Sequence, residues 1–480
     1  MRPSRFQQTF LVVSVSLMLV ALISEKRPDA VELLAAQFED GPVTQPRATI
    51  GVSKSSKEQA TDIGDAEVKD LVAHAVRMAG GLASVVRDGD VVAIKPNLVT
   101  PYDDSAAQQL LPIEVNGVTT DWRVTKALVD LIREINPTGK IYIMEGSAGV
   151  GTQWNMNRLR YTRESIPGVD EFICLEDSGQ WHQWDSPLLS IVTLPRGMGL
   201  YPDYLKPNRS EEIFLNKKYY EADVLISVPV LKNHYCTGIT GAIKNIGIGA
   251  TPANIYGSSP SEIWRGNGID HSGNMVYLHR WIHDFYLCRP IDFVVMDGLQ
   301  SVSHGPTCYN TASYEANKQN MRVILAGKDA IAADTIASLI VGIDPYEVDH
   351  LVQLGADGMG MVNPALIRVE GHLVHGIKKS FDLNRPGSDA KYTDFTPPEI
   401  TVHSVRVDGN QLKVALTVSP DTALVEIAIE GRRLDQAVID GFDDITLDIS
   451  HIQGDIRDIT VYAYDRFLNG TIESFQPDGS

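Results

Sequence analysis

Val224-Leu225-Ile226-Ser227-Val228-Pro229-Val230 runs into Leu231-Lys232-Asn233-His234. A strand with one face in water alternates apolar and polar residues. This run does not alternate, so it reads as a strand covered on both faces. Phe293–Met296 and Arg322–Ala326 have the same character, and Val91–Ile94 and Ile141–Met144 are shorter runs of the same kind. Between them, Val124, Ala127, Leu128, Leu131 and Ile132 recur at helical spacing until Pro137 and Gly139 stop the pattern. A second helix is expected over 329–341, with Asp329 as its N-cap. Covered strands alternating with helices define an α/β fold, a mostly parallel sheet covered by helices.

The grammar changes near residue 395. Leu412, Val414, Leu416 and Val418 alternate with polar residues, as do Val425, Ile427 and Ile429, and Asp408-Gly409 is a hairpin turn. Short alternating strands over 397–480 predict a C-terminal immunoglobulin-like β-sandwich, joined to the α/β domain of 49–393 near Thr396-Pro397-Pro398. A surface or matrix partner could be engaged through this sandwich.

At the other end, Arg2 and Arg5 precede an apolar run from Phe10 to Ile23. A basic segment followed by a short apolar one makes 1–25 a signal peptide or an uncleaved anchor, and 26–48 a tether. The expected location is extracytoplasmic (periplasmic, secreted or membrane-anchored), with membrane contact only through that segment. The 480-residue chain carries a formal charge of −19 and no basic run, which excludes nucleic acid as a partner. Cys174, Cys236, Cys288 and Cys308 contain no CxxC pair, so no iron-sulfur cluster is expected. Whether they form bridges or stay as structural thiols is open at this stage.

In an open α/β sheet, ligands bind beyond the carboxyl ends of the strands. Here those ends carry Lys95 and Asn97, then Glu145, then Lys232, Asn233 and His234, then Asp297. The segment from Lys232 to Gly247 adds Thr240, Gly241, Lys244 and Asn245. His234 can move protons near neutral pH, and Lys244 supplies a cation or an amine nucleophile. For His234 and Lys244 to act together, Gly238 and Gly241 must bend the chain, so residues 234–241 are expected to be a loop with helix starting near Gly241. The expected catalytic set is His234, Lys244 and Glu145. The expected ligand-binding set is Lys95, Asn97, Lys232, Thr240, Gly241 and Asn245. A divalent metal would draw on Asp297, Asp334 and His271, which follows Asp270 in a Gly-rich loop. His279 and His283 sit among Trp281, Ile282 and Phe285, and read as part of a packed helix.

These motifs resemble the domain-of-unknown-function family 362. The likeness is carried by Lys95-Pro96-Asn97, by Pro229 through His234 and Gly241 to Lys244-Asn245, by Asp297-Gly298, and by the Gly327-Lys328-Asp329 helix start and Gly358-Met359-Gly360. Members often carry a ferredoxin module, for which this chain lacks the cysteines. The segment His234-Tyr235 to Gly241 and Lys244 also looks distantly like nickel-pincer lactate racemases. That likeness implies a proton-transfer role for His234 and a cofactor-anchoring one for Lys244. The functional expectation is an exported enzyme, a metal-dependent isomerase or redox-type catalyst, acting on a small anionic molecule. The alternative is a non-catalytic extracytoplasmic or cell-surface ligand-binding protein.

Overall fold

The computed structural model describes residues 42–43, 48–99, 102–104, 109–146, 151–175, 189–193, 212–251, 275–306, 311–383, 394–438, 444–452, 454 and 456–477. The N-terminal segment 1–25, most of the tether, Trp181, Trp184, His271 and Cys308 lie outside them.

Eight strands form the main sheet: β1 (Ala48–Lys54), β2 (Val91–Pro96), β3 (Lys140–Glu145), β4 (Glu171–Cys174), β5 (Val224–Val228), β6 (Phe293–Gly298), β7 (Val323–Gly327) and β8 (Ile367–Gly371). Their spatial order is β8-β1-β7-β6-β5-β2-β3-β4. The fold is therefore the expected α/β one, with a single reversal: β7 pairs antiparallel with both β6 and β1. The chain reaches β7 by an antiparallel ribbon, Ser301–Val302 against Lys318–Gln319, not by a covering helix, so no parallel return is required. The sequence reading misses β1, β4 and β8, which are short or interrupted by polar residues.

Period-two geometry explains the apolar run in β5. Val224, Ile226 and Val228 enter one core with helices α1 (Asp65–Met78) and α2 (Trp122–Ile135). Leu225 enters the other, with α4 (Gly241–Gly249), α5 (Met275–Cys288), α6 (Ala330–Ile340) and α7 (Asp349–Ala356), α3 being the short Thr152–Arg158. The same alternation puts Lys95, two residues on from Ala93, on the α4 side of β2.

Two antiparallel sheets follow, β9 (Ile400–Asp408), β10 (Gln411–Val418) and β13 (Asp444–Asp448) in one, β11 (Thr422–Ile429), β12 (Arg432–Val438), β14 (Ile459–Asp465) and β15 (Gly470–Phe475) in the other. They enclose one apolar core, built from Leu412, Val414 and Leu416 on one side and Ile427, Ile459 and Val461 on the other. None of these strands joins the main sheet. Pro42–Val43, within the stretch read as tether, pairs with the edge of β12. Across the seam, Arg433 donates to the carbonyl of Val369 at 2.8 Å and Arg466 meets Asp344 at 2.9 Å.

Helix α1 lies directly on β1 at Gly51, where a Cβ would stand 2.2 Å from the carbonyl oxygen of Ala75. Gly51→Ala should therefore cost about 1–3 kcal/mol, read as a lower urea midpoint at unchanged slope. A loss within the scatter of surface substitutions would show that α1 does not press on the sheet there.

Candidate active site

Strands β2, β3 and β4 run outward to one side, while β5 and β6 lie on the other flank of β2. The order of the strands thus reverses between β2 and β5, the place where open α/β sheets bind ligands. Beyond β5, Leu231 N donates to the Asp297 carbonyl at 2.7 Å, tying the turn to the end of β6. Asn233–His234 then pairs with Gly238–Ile239 as a two-residue hairpin, which replaces the expected loop. Gly238 and Gly241 take φ of +75° and +58°, and helix starts at Gly241, as the sequence requires. Gly241 is needed for a second reason: a Cβ would lie 2.4 Å from Asp334 Oδ2.

Helix α4 crosses the strands in order. Ser227 of β5 donates to the Ala242 carbonyl at 3.1 Å, Asn245 Nδ2 donates to the Lys95 carbonyl of β2 at 3.1 Å, and Gly249 accepts from Gly146, just past β3, at 2.7 Å. Its two ends meet charges that suit the helix dipole. Asp334 accepts from Ala242 N at 2.6 Å and Ile243 N at 3.0 Å at the amino end. Lys95 Nζ packs so closely against Gly249 at the other end that a Cβ there would stand 2.6 Å away.

Beneath α4 lies a continuous buried network. Lys95 Nζ meets Glu145 Oε1 at 2.6 Å, with both side chains almost wholly out of solvent. Asn245 Oδ1 accepts from Lys95 at 3.3 Å and from Asn97 Nδ2 at 3.0 Å. Asn97 Oδ1 in turn accepts from Lys232 Nζ at 3.1 Å, and Lys232 also donates to the Val118 carbonyl at 2.5 Å. Glu145 receives Leu98 N at 2.7 Å and Gly146 N at 2.9 Å. Burial pushes the Glu145 carboxyl up and the Lys95 ammonium down, and each partner's charge pulls the other back.

The structure thus joins Lys95, Asn97, Glu145, Lys232 and Asn245 directly. Asp297 stands one step away, accepting from Asp121 N at 2.8 Å and Leu299 N at 3.0 Å. Burial, then the Asp121 charge, raises its pKa. Burial likewise lifts Asp334 to about 7. The two carboxylates proposed for a metal both serve backbone N–H groups, on different elements, so they act first as anchors. Among the described residues no group of three His, Cys, Asp or Glu side chains is placed to hold a metal ion.

His234 is buried in the hairpin, its Nδ1 accepting from Cys236 N at 3.1 Å and its ring stacked on Tyr235 at 5.2 Å. Lys244 is 5% exposed, and among the described residues no hydrogen bond or ion pair engages its Nζ. Burial lowers its pKa to about 8, with the charge of Cys236 opposing and that of Lys95 adding to the effect. Thr240 Oγ1 is also buried without a hydrogen-bond partner among the described residues. The sequence reading misses Ser227, Thr120 and Asp121, which join strand ends, and His350, for want of any local pattern. Arg123 locks Asp121 at 2.7 Å. His279 and His283 are buried in α5 as expected of a packed helix, with polar partners described below.

The fold and the strand-end network define an α/β protein with its polar centre at the sheet's switch point. The chain belongs to the family described as domain of unknown function DUF362, whose profile matches residues 92–338, about half of the 480. No curated protein matches the chain. Among solved structures, the catalytic module of the Clostridium perfringens metalloprotease ZmpA aligns at 12% identity and TM-score 0.15, over 31% of this chain and 28% of that one. The C. perfringens spore cortex lytic enzyme SleM aligns at 10% and 0.18, over 71% and 90%. A Listeria innocua beta-glucosidase aligns at 11% and 0.15, over 88% and 52%. The chain spans a third or less of the first two metalloprotease modules. Similarity at this level carries no argument about fold or activity.

Removing one member of a buried ion pair strands the other, at a cost of about 3–5 kcal/mol, whereas replacing both is close to neutral. Lys95→Met should therefore be more destabilising than the double variant Lys95→Met/Glu145→Leu, measured by urea denaturation. Additive losses would show that the two side chains do not form a pair.

Proposed function

We propose that this protein is an exported enzyme that binds a small anionic molecule at the strand-end site and uses Lys244 on it. The observation that carries the reading is Lys244 itself: a buried amine on α4 that pairs with no carboxylate among the described residues. A buried unpaired cation is unfavourable for folding, and an incoming anion supplies the missing counter-charge. With its pKa near 8, about a tenth of Lys244 is the neutral amine at pH 7, far more than for an exposed lysine, and that form can act as base or nucleophile. Lys95, Glu145, Asn97 and Lys232 hold the floor of the site beneath α4 and fix where that helix presents its side chain. Export rests on Arg2, Arg5 and the apolar run from Phe10 to Ile23. No helix among the described residues is long and apolar enough to cross a membrane.

A presenting role for the C-terminal unit accompanies this reading. Its order, β9-β10-β13 facing β12-β11-β14-β15, supports an immunoglobulin-like sandwich of the kind common in cell-surface domains.

The lysine's linkage to pH has a definite sign. Its folded pKa lies below its unfolded value of 10.5, so the unfolded chain binds more protons between about pH 8 and 10.5. Stability contributed at this site rises with pH through that window. Lys244→Met should accordingly stabilise the protein at pH 7 by up to roughly 3 kcal/mol, with the gain shrinking toward pH 10.5. A pH-independent difference would mean that the amine is solvated. For binding, phosphate, citrate and glycerate are compared by thermal shift at pH 7. At least one should raise the melting temperature of the native chain by a few degrees and fail to do so in Lys244→Met. No shift in the native chain, or an equal one in the variant, would remove the anion site.

A further inference from the structure

His350 of α7 and His279 of α5 approach with their Nδ1 atoms 2.8 Å apart and their rings stacked at 5.0 Å. At that separation one nitrogen carries the proton and the other accepts it. The backbone decides which: His350 N–H donates to His279 Nδ1 at 3.3 Å, so His279 Nδ1 is the acceptor. The proton therefore sits on His350 Nδ1. A neutral imidazole has only one such proton, so His350 Nε2 presents a bare lone pair. Burial, then the charges of His279, Lys244 and His283, keeps His350 neutral, with a pKa well below the ordinary value.

That lone pair is fully buried and receives no donor among the described residues. His283, one turn along α5, belongs to a different arrangement. Its nitrogens meet Asp284 at 2.9 Å and Asp357 at 2.7 Å, and although burial opposes charging it, these bonds raise its pKa. The start of α7 lies against the hairpin that leads into α4, since a Cβ at Gly238 would stand 3.3 Å from Val348 Cγ2. Thr240 Oγ1 and His350 Nε2 are thus buried polar atoms without partners among the described residues, and the buried Lys244 is close enough for its charge to act on His350; α4 and α7, which carry the lysine and the histidine, both pack on α5.

We infer that His350 is the acceptor half of the Lys244 site, its Nε2 taking the hydrogen of a ligand hydroxyl whose oxygen Lys244 holds, with His279 fixing the ring. Lys244 offers hydrogens and His350 offers a lone pair, and they do not bond each other. The group complementary to both must accept and donate. A carboxylate or a dianionic phosphate only accepts, whereas an alcohol does both. The ligand class narrows to an anionic molecule bearing a hydroxyl group. In the proton-transfer step the O–H bond breaks, the hydrogen passes to His350 Nε2, and the electron pair stays on oxygen as an alkoxide facing the Lys244 ammonium. This assignment rests on Lys244 being the ligand site.

The tautomer is read without any ligand, from two-bond proton–nitrogen correlations of the full chain labelled with 15N histidine. His350 should show a proton on Nδ1 and none on Nε2, and a proton on Nε2 overturns the inference. In folded His279→Leu the preference for Nδ1–H should be lost; its retention would remove His279 as the orienting group. The hydroxyl is tested by protection of Lys244 from acetic anhydride, followed by mass spectrometry, with glycerate compared against propionate. Glycerate should protect at least roughly fivefold better, the weight of one ordinary hydrogen bond. His350→Phe should abolish that advantage and His350→Gln, whose amide oxygen still accepts, should keep part of it. Equal protection by the two acids, including none, overturns the hydroxyl assignment; equal and strong protection does so while leaving the anion site at Lys244 intact.

Discussion

Glu145 and Lys95 meet at 2.6 Å in a place that water does not reach, between the carboxyl ends of two parallel strands and the last turn of a helix. Much else in the α/β domain is arranged to make that meeting tolerable. Two charges taken out of water are stable together only when their remaining valences are satisfied. Asn245 reaches down from α4 to accept from Lys95, Leu98 N and Gly146 N close on the carboxylate, and Asn97 passes the chain of bonds on to Lys232. Because the bonds come from β2, β3, β5 and α4 together, the network fixes how α4 crosses the sheet. Position along α4 in turn decides where Lys244 stands.

The same helix shows how charge organises the site. Asp334 closes its amino end from α6, and Lys95 sits at its carboxyl end, so the helix dipole is complemented at both termini. With the amino end occupied by a carboxylate, an anionic ligand has no free helix terminus to bind there. The cation without an ion-pair partner among the described residues of the site is instead Lys244, one residue before Asn245 and on a different face of α4 from the residues that grip the sheet. Stability and chemistry are divided between neighbouring positions. The positions that face the strands are saturated with bonds, and the lysine beside them makes none among the described residues.

Much of the architecture was legible because it rests on local periodicity. The near-continuous apolar runs of β5 and β6 are those of strands covered on both sides, and the alternation in β10 and β11 that of strands with one side in a core. Glycine chemistry was equally readable: the bends at Gly238 and Gly241 and the helix start at Gly241 follow from backbone angles that other residues resist. Strands β4 and β8 escaped because edge positions need not be continuously apolar, and β1, which lies between β8 and β7, because Thr49, Gly51 and Ser53 interrupt its apolar residues. The reversed direction of β7 escaped because strand sequences do not encode which neighbour they join.

Sequence alone determined that Lys95, Asn97, Glu145 and Lys232 lie at strand ends, since each directly follows or closes an apolar run. It could not decide which of them meet. Their contacts depend on the strand order, which places β5 beside β2 although the intervening chain builds two further strands of the same sheet. Ten residues of separation do not say what His234 and Lys244 each face, and the structure adds Cys236, Lys95 and His350 as groups within electrostatic reach of Lys244. His350 had no signature at all, because its role is set by His279, 71 residues away. Local pattern fixes what a residue can do; only the packing of distant helices fixes which nitrogen is left bare and what faces it.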